Sequence, residues 1–143
     1  MKKILILAVC TLSLLANDII IKESNHSVTQ TVKNIKKIVT KKGLSVFAVI
    51  NHRANAKKVS MKMREAKLII FGNPKMGTKL MQDNIVTALD LPMKILVYKD
   101  GNGKVKLAYR DGTWLKNEHS LKSDKLISKI DNALNKITDK AIK

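Results

Sequence analysis

The residues best suited to chemistry lie in Gly72-Asn73-Pro74-Lys75-Met76-Gly77-Thr78-Lys79. Two glycines at this spacing, with lysines and a hydroxyl nearby, are the materials of a phosphate-holding loop. Such a loop needs lysine and then serine or threonine after the second glycine, so that the amine reaches the phosphates and the hydroxyl the magnesium. Here Thr78 precedes Lys79, and this order argues against nucleotide hydrolysis. Two readings stay open. Gly72 and Pro74 shape a tight strand-to-helix turn and nothing more, or that turn, leading into a helix N-terminus with Lys75 and Lys79 close by, holds a small anion.

His52 and His119 stand at the ends of predicted elements, and His26 precedes the first helix. Two imidazoles joined by Asp90 or Asp111 could ligate a divalent metal, and with Met61, Met63, Met76, Met81 or Met93 they would suit copper. A metal- or haem-handling accessory protein, or an enzyme using His52 and His119 as acid and base, is therefore one function class. Nothing in the sequence separation brings the two histidines together, and isolated histidines are more often hydrogen-bonded structural residues. Other chemistry lacks its parts: no serine sits in a glycine-elbow motif, and Asp83, Asp90, Asp100 and Asp111 are spread over different loops. The methionines read as gap-filling core, with Met76 and Met81 lining a pocket. Trp114, Tyr98 and Tyr109 read as apolar walls whose polar tips want partners. No catalytic residue and no cofactor follow from these residues.

The N-terminus predicts export. Met1-Lys2-Lys3 is basic, Ile4 to Leu15 is apolar, and Ala16 precedes the polar Asn17-Asp18, the layout of a secretory signal too short to remain as a membrane span. Residues 1–16 read as a signal peptide and 17–143 as a single domain, periplasmic or secreted, with no stable membrane insertion after processing. Leu7-Ala8-Val9-Cys10 is a poor lipidation box because the apolar run continues past the cysteine. Cys10 is the only cysteine, so the processed chain has no disulfide, thiolate nucleophile or thiolate metal site. The 127 residues that remain of 143 suffice for one core.

Lys and Arg number 28 against 11 Asp and Glu, a formal net charge of +17, and such a field attracts anions and anionic surfaces. Only Arg53, Arg64 and Arg110 are arginine, and aromatics make up 3% of the chain. Nucleic-acid binders combine arginine forks with stacking rings, so nucleic acid is not an expected partner. Lysines on solvated faces account for most of the charge.

The elements that must position these residues follow from periodicity. Asp18 to Glu23 reads as a short strand. Ser27 and Gln30 form a capping box ahead of a helix with Val28, Val32, Ile35 and Val39 on one stripe, stopped by Gly43. Ser45 to Ile50 is an unbroken apolar run suited to a central strand buried on both sides. Ala54 to Arg64 predicts a short helix, Ala66 to Phe71 a strand, and Thr78 a cap for a helical turn through Met81. Ile85 to Leu89 is a further helical turn, and Pro92 belongs at a strand entrance because it cannot donate to a ladder. Met93 to Tyr98 and Lys104 to Tyr109 form a hairpin around Asp100-Gly101-Asn102-Gly103. Gly112 to Ser120 is a turn and short helix. An amphipathic helix over 123–141 presents Leu126, Ile127, Ile130, Ala133, Leu134, Ile137 and Ala141 on one face. The sum is an α+β two-layer sandwich, a mainly antiparallel sheet with helices packed on one face.

Phe71-Gly72-Asn73-Pro74-Lys75 with Gly77-Thr78 and Leu80-Met81, then Asp90-Leu91-Pro92, then Val97-Tyr98 with Asp100, Gly103-Lys104-Val105 and Tyr109, resemble in this order the family called domain of unknown function 302. The resemblance runs over residues 19–121. It implies a compact α+β domain that self-associates, with a homodimer as the expected form, and no established activity. Where the family often has an Asp-His pair, this chain has Asn51-His52, so the carboxylate that would orient the imidazole is missing. After Tyr109 the family commonly shows an Asn-Asp-Pro-like turn, and here Arg110-Asp111-Gly112 stands instead.

The expected function is an exported domain that binds a small molecule or anion. Its pocket would gather Asn73, Lys75, Thr78, Asp90, His52, Trp114 and His119. Lys75 would meet an anionic group, His52 and His119 would hydrogen-bond, and Trp114 would close an apolar wall. A metal on His52 and His119, and a structural homo-oligomer without ligand, are the alternatives.

Overall fold

The computed structural model describes residues 18–143; the predicted signal peptide and Cys10 lie outside the described residues. In chain order the elements are β1 (Ile20–Glu23), α1 (Val28–Lys41), β2 (Ser45–Asn51), α2 (His52–Lys58), β3 (Ala66–Gly72), α3 (Pro74–Asp83), a 3-10 turn (Ile85–Leu89), β4 (Met93–Lys99), β5 (Val105–Tyr109), α4 (Gly112–His119) and α5 (Asp124–Ala141). The strands form one antiparallel sheet in the order β1-β5-β4-β3-β2. With α1 and α5 against one face, this is the predicted α+β sandwich.

The apolar stripes of the two long helices decide which face they cover. Val28, Val32, Ile35 and Val39 of α1 and Ile127, Ile130, Leu134, Ile137 and Ala141 of α5 are buried in one cluster with Ile69, Phe71, Ile95, Val97, Leu107 and Tyr109 of the sheet. Each such large side chain contributes about 2 kcal/mol on burial. Ser27 Oγ accepts the Gln30 N–H at 3.1 Å and starts α1 as predicted. The Gln30 side chain donates to Asn34 Oδ1 at 2.8 Å instead of reaching back, so only half of the capping box forms. Gly43, at φ +70, supplies the left-handed backbone that ends the helix. In the β4–β5 turn the Asp100 carboxylate accepts the N–H groups of Asn102 and Lys104, both at 2.9 Å, and Gly103 sits at φ +80.

One strand is placed differently from the sequence expectation. Ser45–Asn51 is not central: β1 and β2 occupy opposite edges of the sheet, and Phe47 and Val49 are 51% and 40% exposed. An apolar run fits a strand at either place, and α1, which carries the chain from one edge to the other, decides between them. A break in register between Val46 and Ala48 bends this free edge, a feature that discourages further strand pairing. Two helix starts also differ. α2 begins at His52 and ends by Lys58, because Asn51 Oδ1 accepts the Ala54 N–H at 3.0 Å. α3 begins at Pro74, not after Thr78.

The second face of the sheet is also apolar. Its central row, read from one edge to the other, is Ile21, Ala108, Leu96, Leu68 and Ile50, each opposite the next.

Candidate functional site

Strand β3 passes into α3 with a single residue between them. Gly72 ends the strand, Asn73 Oδ1 accepts the Met76 N–H at 3.1 Å, and Pro74 takes the first helical position, where its missing N–H costs nothing. The predicted strand-to-helix turn is therefore a capped junction, and Gly77 lies inside the helix. A Cβ at Gly72 would make ordinary van der Waals contact, 3.6 Å from Pro92 Cβ and 3.7 Å from the Phe47 ring.

This junction walls a cleft of about 310 Å³. The cleft lies between α3, α5 and the end of the sheet, and Phe47, Phe71, Met76, Met81, Leu91 and Ile137 are prominent in its lining. Asn73 and Thr78 are its polar lining residues. Lys75, on the first turn of α3, is exposed and is not among the lining residues. Ala133, Leu134 and Ile137 of α5 close the inner side. Sequence reasoning placed them on the core face without linking them to the cleft, since only folding brings a helix some fifty residues downstream against α3.

Asp90-Leu91-Pro92 divides this cleft from a second one. Leu91 and Pro92 face the first, Asp90 faces the second, and Met93 touches both; the Leu91–Pro92 peptide bond is cis. The second cavity, about 320 Å³, opens on the uncovered sheet face between Leu68, Leu96, Ala108, Lys94, Arg110 and Trp114. His119, at the end of α4 and 8% exposed, stands behind it with Nε2 2.8 Å from Asp90 Oδ2. Lys94 Nζ donates to the carbonyl oxygens of Asp90 at 2.9 Å and Pro92 at 3.0 Å. Burial holds this ammonium below the usual lysine range, opposed by the negative charge of Asp90. The Arg110 guanidinium lies 4.4 Å from the centre of the Trp114 ring, a cation–π arrangement.

Of the seven residues expected to share one pocket, the fold groups Asn73 and Thr78 at the first cleft and Asp90 and Trp114 at the second, with His119 bonded to Asp90. His52 joins neither. Asn51 pairs with Lys67 at the end of β3 remote from Gly72, while Asp90 and its partner His119 belong to the Gly72 end, where Phe71 pairs with Met93. His52 and His119 thus lie at opposite ends of the sheet and do not form a joint metal site. Among the described residues no group of three or more His, Cys, Asp or Glu side chains could hold a metal ion. Lys94 and Arg110 escaped the sequence reading, though a signal was present: Lys94 interrupts the apolar run Met93 to Val97, and the hairpin sets the register that places both at one end.

Residues 20–137 match the family described as Domain of unknown function DUF302. The chain belongs to this family. A DUF302 crystal structure, of an uncharacterized conserved protein from Bacillus stearothermophilus, superposes with a TM-score of 0.71 over 89% of this chain and 97% of that one at 16% identity. At that identity the likeness speaks for the fold alone. The DUF302 chain is also 40% identical over 109 residues to proteins named fluoride-specific ion channel from Brucella suis and Brucella abortus. The match covers 76% of this chain and 43% and 40% of those relatives, so the chain spans about two fifths of their length. Among the described residues no helix is long and apolar enough to cross a membrane.

Proposed function

We propose that the protein is an exported small-ligand-binding domain, and that its principal ligand is a small apolar molecule held in the cleft between α3, α5 and the sheet. The observation that carries this reading is the lining of that cleft, which is apolar except for Asn73 and Thr78. Its size falls at the lower end of small-molecule sites, which combine apolar walls with a few placed polar groups. The family-like residues Gly72, Asn73, Gly77, Thr78, Leu91 and Pro92 line it, which favours binding over mere packing. The basic, apolar and then polar residues 1–18 support export.

A neutral fluorophore such as aminoanthracene tests the ligand class. The expected result is saturable binding that is lost when Ala133→Phe fills the cleft in a still-folded protein. Absence of binding, or equal binding by the filled variant, overturns the reading.

A second reading rests on the identity to fluoride-specific ion channels. The matched stretch supplies no described membrane-crossing helix, so the likeness favours a domain that works beside such a channel and not a channel itself. Deleting the gene should then sensitise cells to fluoride. Unchanged growth in fluoride, with the domain's expression verified in the parent, would end this reading.

A further inference from the structure

Lys94 and Arg110 both line the second cavity. The β4–β5 ladder ends at Leu96 opposite Ala108, and each cation lies two residues past that pair, Lys94 in β4 and Arg110 just after β5. Two cations lining one cavity repel each other unless something neutralises them. Among the described residues the only carboxylate lining this cavity is Asp90, and its Oδ2 is engaged by His119 Nε2 at 2.8 Å. Arg110 has no ion-pair partner among the described residues; its guanidinium is held over Trp114. Lys94 directs two donors to the carbonyl oxygens of Asp90 and Pro92, which leaves one of the three ammonium hydrogens free.

We propose that this cavity is a second binding site, on the open face of the sheet, for a small organic monocarboxylate with an apolar body. The charge count selects the head group: two cations and one carboxylate leave one positive charge, which a monoanion neutralises and a phosphate dianion overshoots. A planar carboxylate also suits the fork of a guanidinium, which Trp114 pre-orients. The floor selects the body. Leu68, Leu96 and Ala108 line the cavity from three adjacent strands, with Ile19 at its side, so a ring or short alkyl group can rest on apolar surface while its head lies between Lys94 and Arg110. The lowered proton affinity of Lys94 agrees with an ammonium that has shed part of its water and gains from a new anionic neighbour. His119 acts by fixing Asp90, and through it the Lys94 end of the site.

Benzoate is a suitable probe and benzyl alcohol its neutral counterpart, titrated into the full-length processed protein at physiological salt and followed by amide NMR. The expected result is saturable benzoate binding that shifts Leu96, Ala108 and the Trp114 indole, with benzyl alcohol at least tenfold weaker. Arg110→Gln removes an exposed side chain and should weaken benzoate about tenfold or more. Lys94→Met should do the same if it folds, and Arg110→Gln decides the question if it does not. Ala133→Phe, in the other cleft, should leave benzoate affinity unchanged, which separates this site from the apolar one. Equal affinity for the alcohol, unchanged affinity in Arg110→Gln, or no shifts at millimolar benzoate overturns the proposal.

Discussion

Asp90 Oδ2 and His119 Nε2 lie 2.8 Å apart, joining the segment before β4 to the end of α4. A second bond runs beside it, from Asn84 Nδ2 to the His119 carbonyl oxygen at 3.0 Å. Together they hold α4 against the turn that separates the two cavities.

Removing one member of this pair leaves the other without its partner. Asp90→Ala strands a buried imidazole and should cost about 1–3 kcal/mol. His119→Ala should cost at least as much, because it also opens a void. Urea unfolding of both single variants and the double variant measures the coupling, and additive costs would show that the bond contributes nothing.

Thr87, in the 3-10 turn, is 0% exposed and its hydroxyl has no hydrogen-bond partner among the described residues. Thr87→Val keeps the shape and removes the unpaired group, so it should raise stability by up to about 1 kcal/mol. A lower urea midpoint in this variant would contradict the assignment.

Gly112 opens α4 beneath the Asp131 carboxylate, which accepts its N–H at 2.6 Å, the Thr113 N–H at 3.2 Å and the Thr113 hydroxyl at 2.7 Å. A Cβ at this position would meet Asp131 Oδ1 at 2.8 Å and the Ile127 carbonyl oxygen at 3.1 Å. Gly112→Ala should therefore lower the thermal midpoint, at a cost of about 1–3 kcal/mol. Gly101→Ala, which has open space around it, serves as the comparison and should be much milder.

The Lys106 ammonium, with the N–H groups of Lys104 and Asn102, holds the Asp100 carboxyl below its ordinary value of 3.8. A carboxyl whose folded pKa is depressed contributes stability above its unfolded value, and loses that contribution as pH falls through the folded value. Asp100→Asn should accordingly narrow the stability difference between about pH 5 and about pH 2. Identical acid profiles for the two proteins would remove Asp100 from the account.

Much of the fold is local physics and was legible. Ser27, Gly43 and the Asp100 to Gly103 turn act on backbone groups a few residues away, and the stripes of α1 and α5 repeat at helical spacing, so neighbours in sequence are enough to read them. The junction at Asn73-Pro74 is just as local: the strand-to-helix turn is legible in Gly72 and Pro74, and the structure moves the helix start from Thr78 to the Asn73 cap and first-turn Pro74. Strand rank was not legible: Ser45–Asn51 is apolar whether central or at an edge, and only the path of α1 across the sheet assigns it.

The candidate sites divide along the same line. Which residue types the chain offers for binding, and the expectation of no nucleophile motif and of no thiolate once Cys10 is removed, follow from composition and spacing. Which of them meet did not, because cavities are made between elements far apart in the chain. His52 and His119 look equivalent as letters, and the antiparallel register of β2, β3 and β4 sends them to opposite ends of the sheet. The folded sheet puts Lys94 and Arg110 at one cavity and leaves Lys75 in solvent, so the charges that matter for a ligand are chosen by tertiary packing, a long-range arrangement that no local pattern encodes.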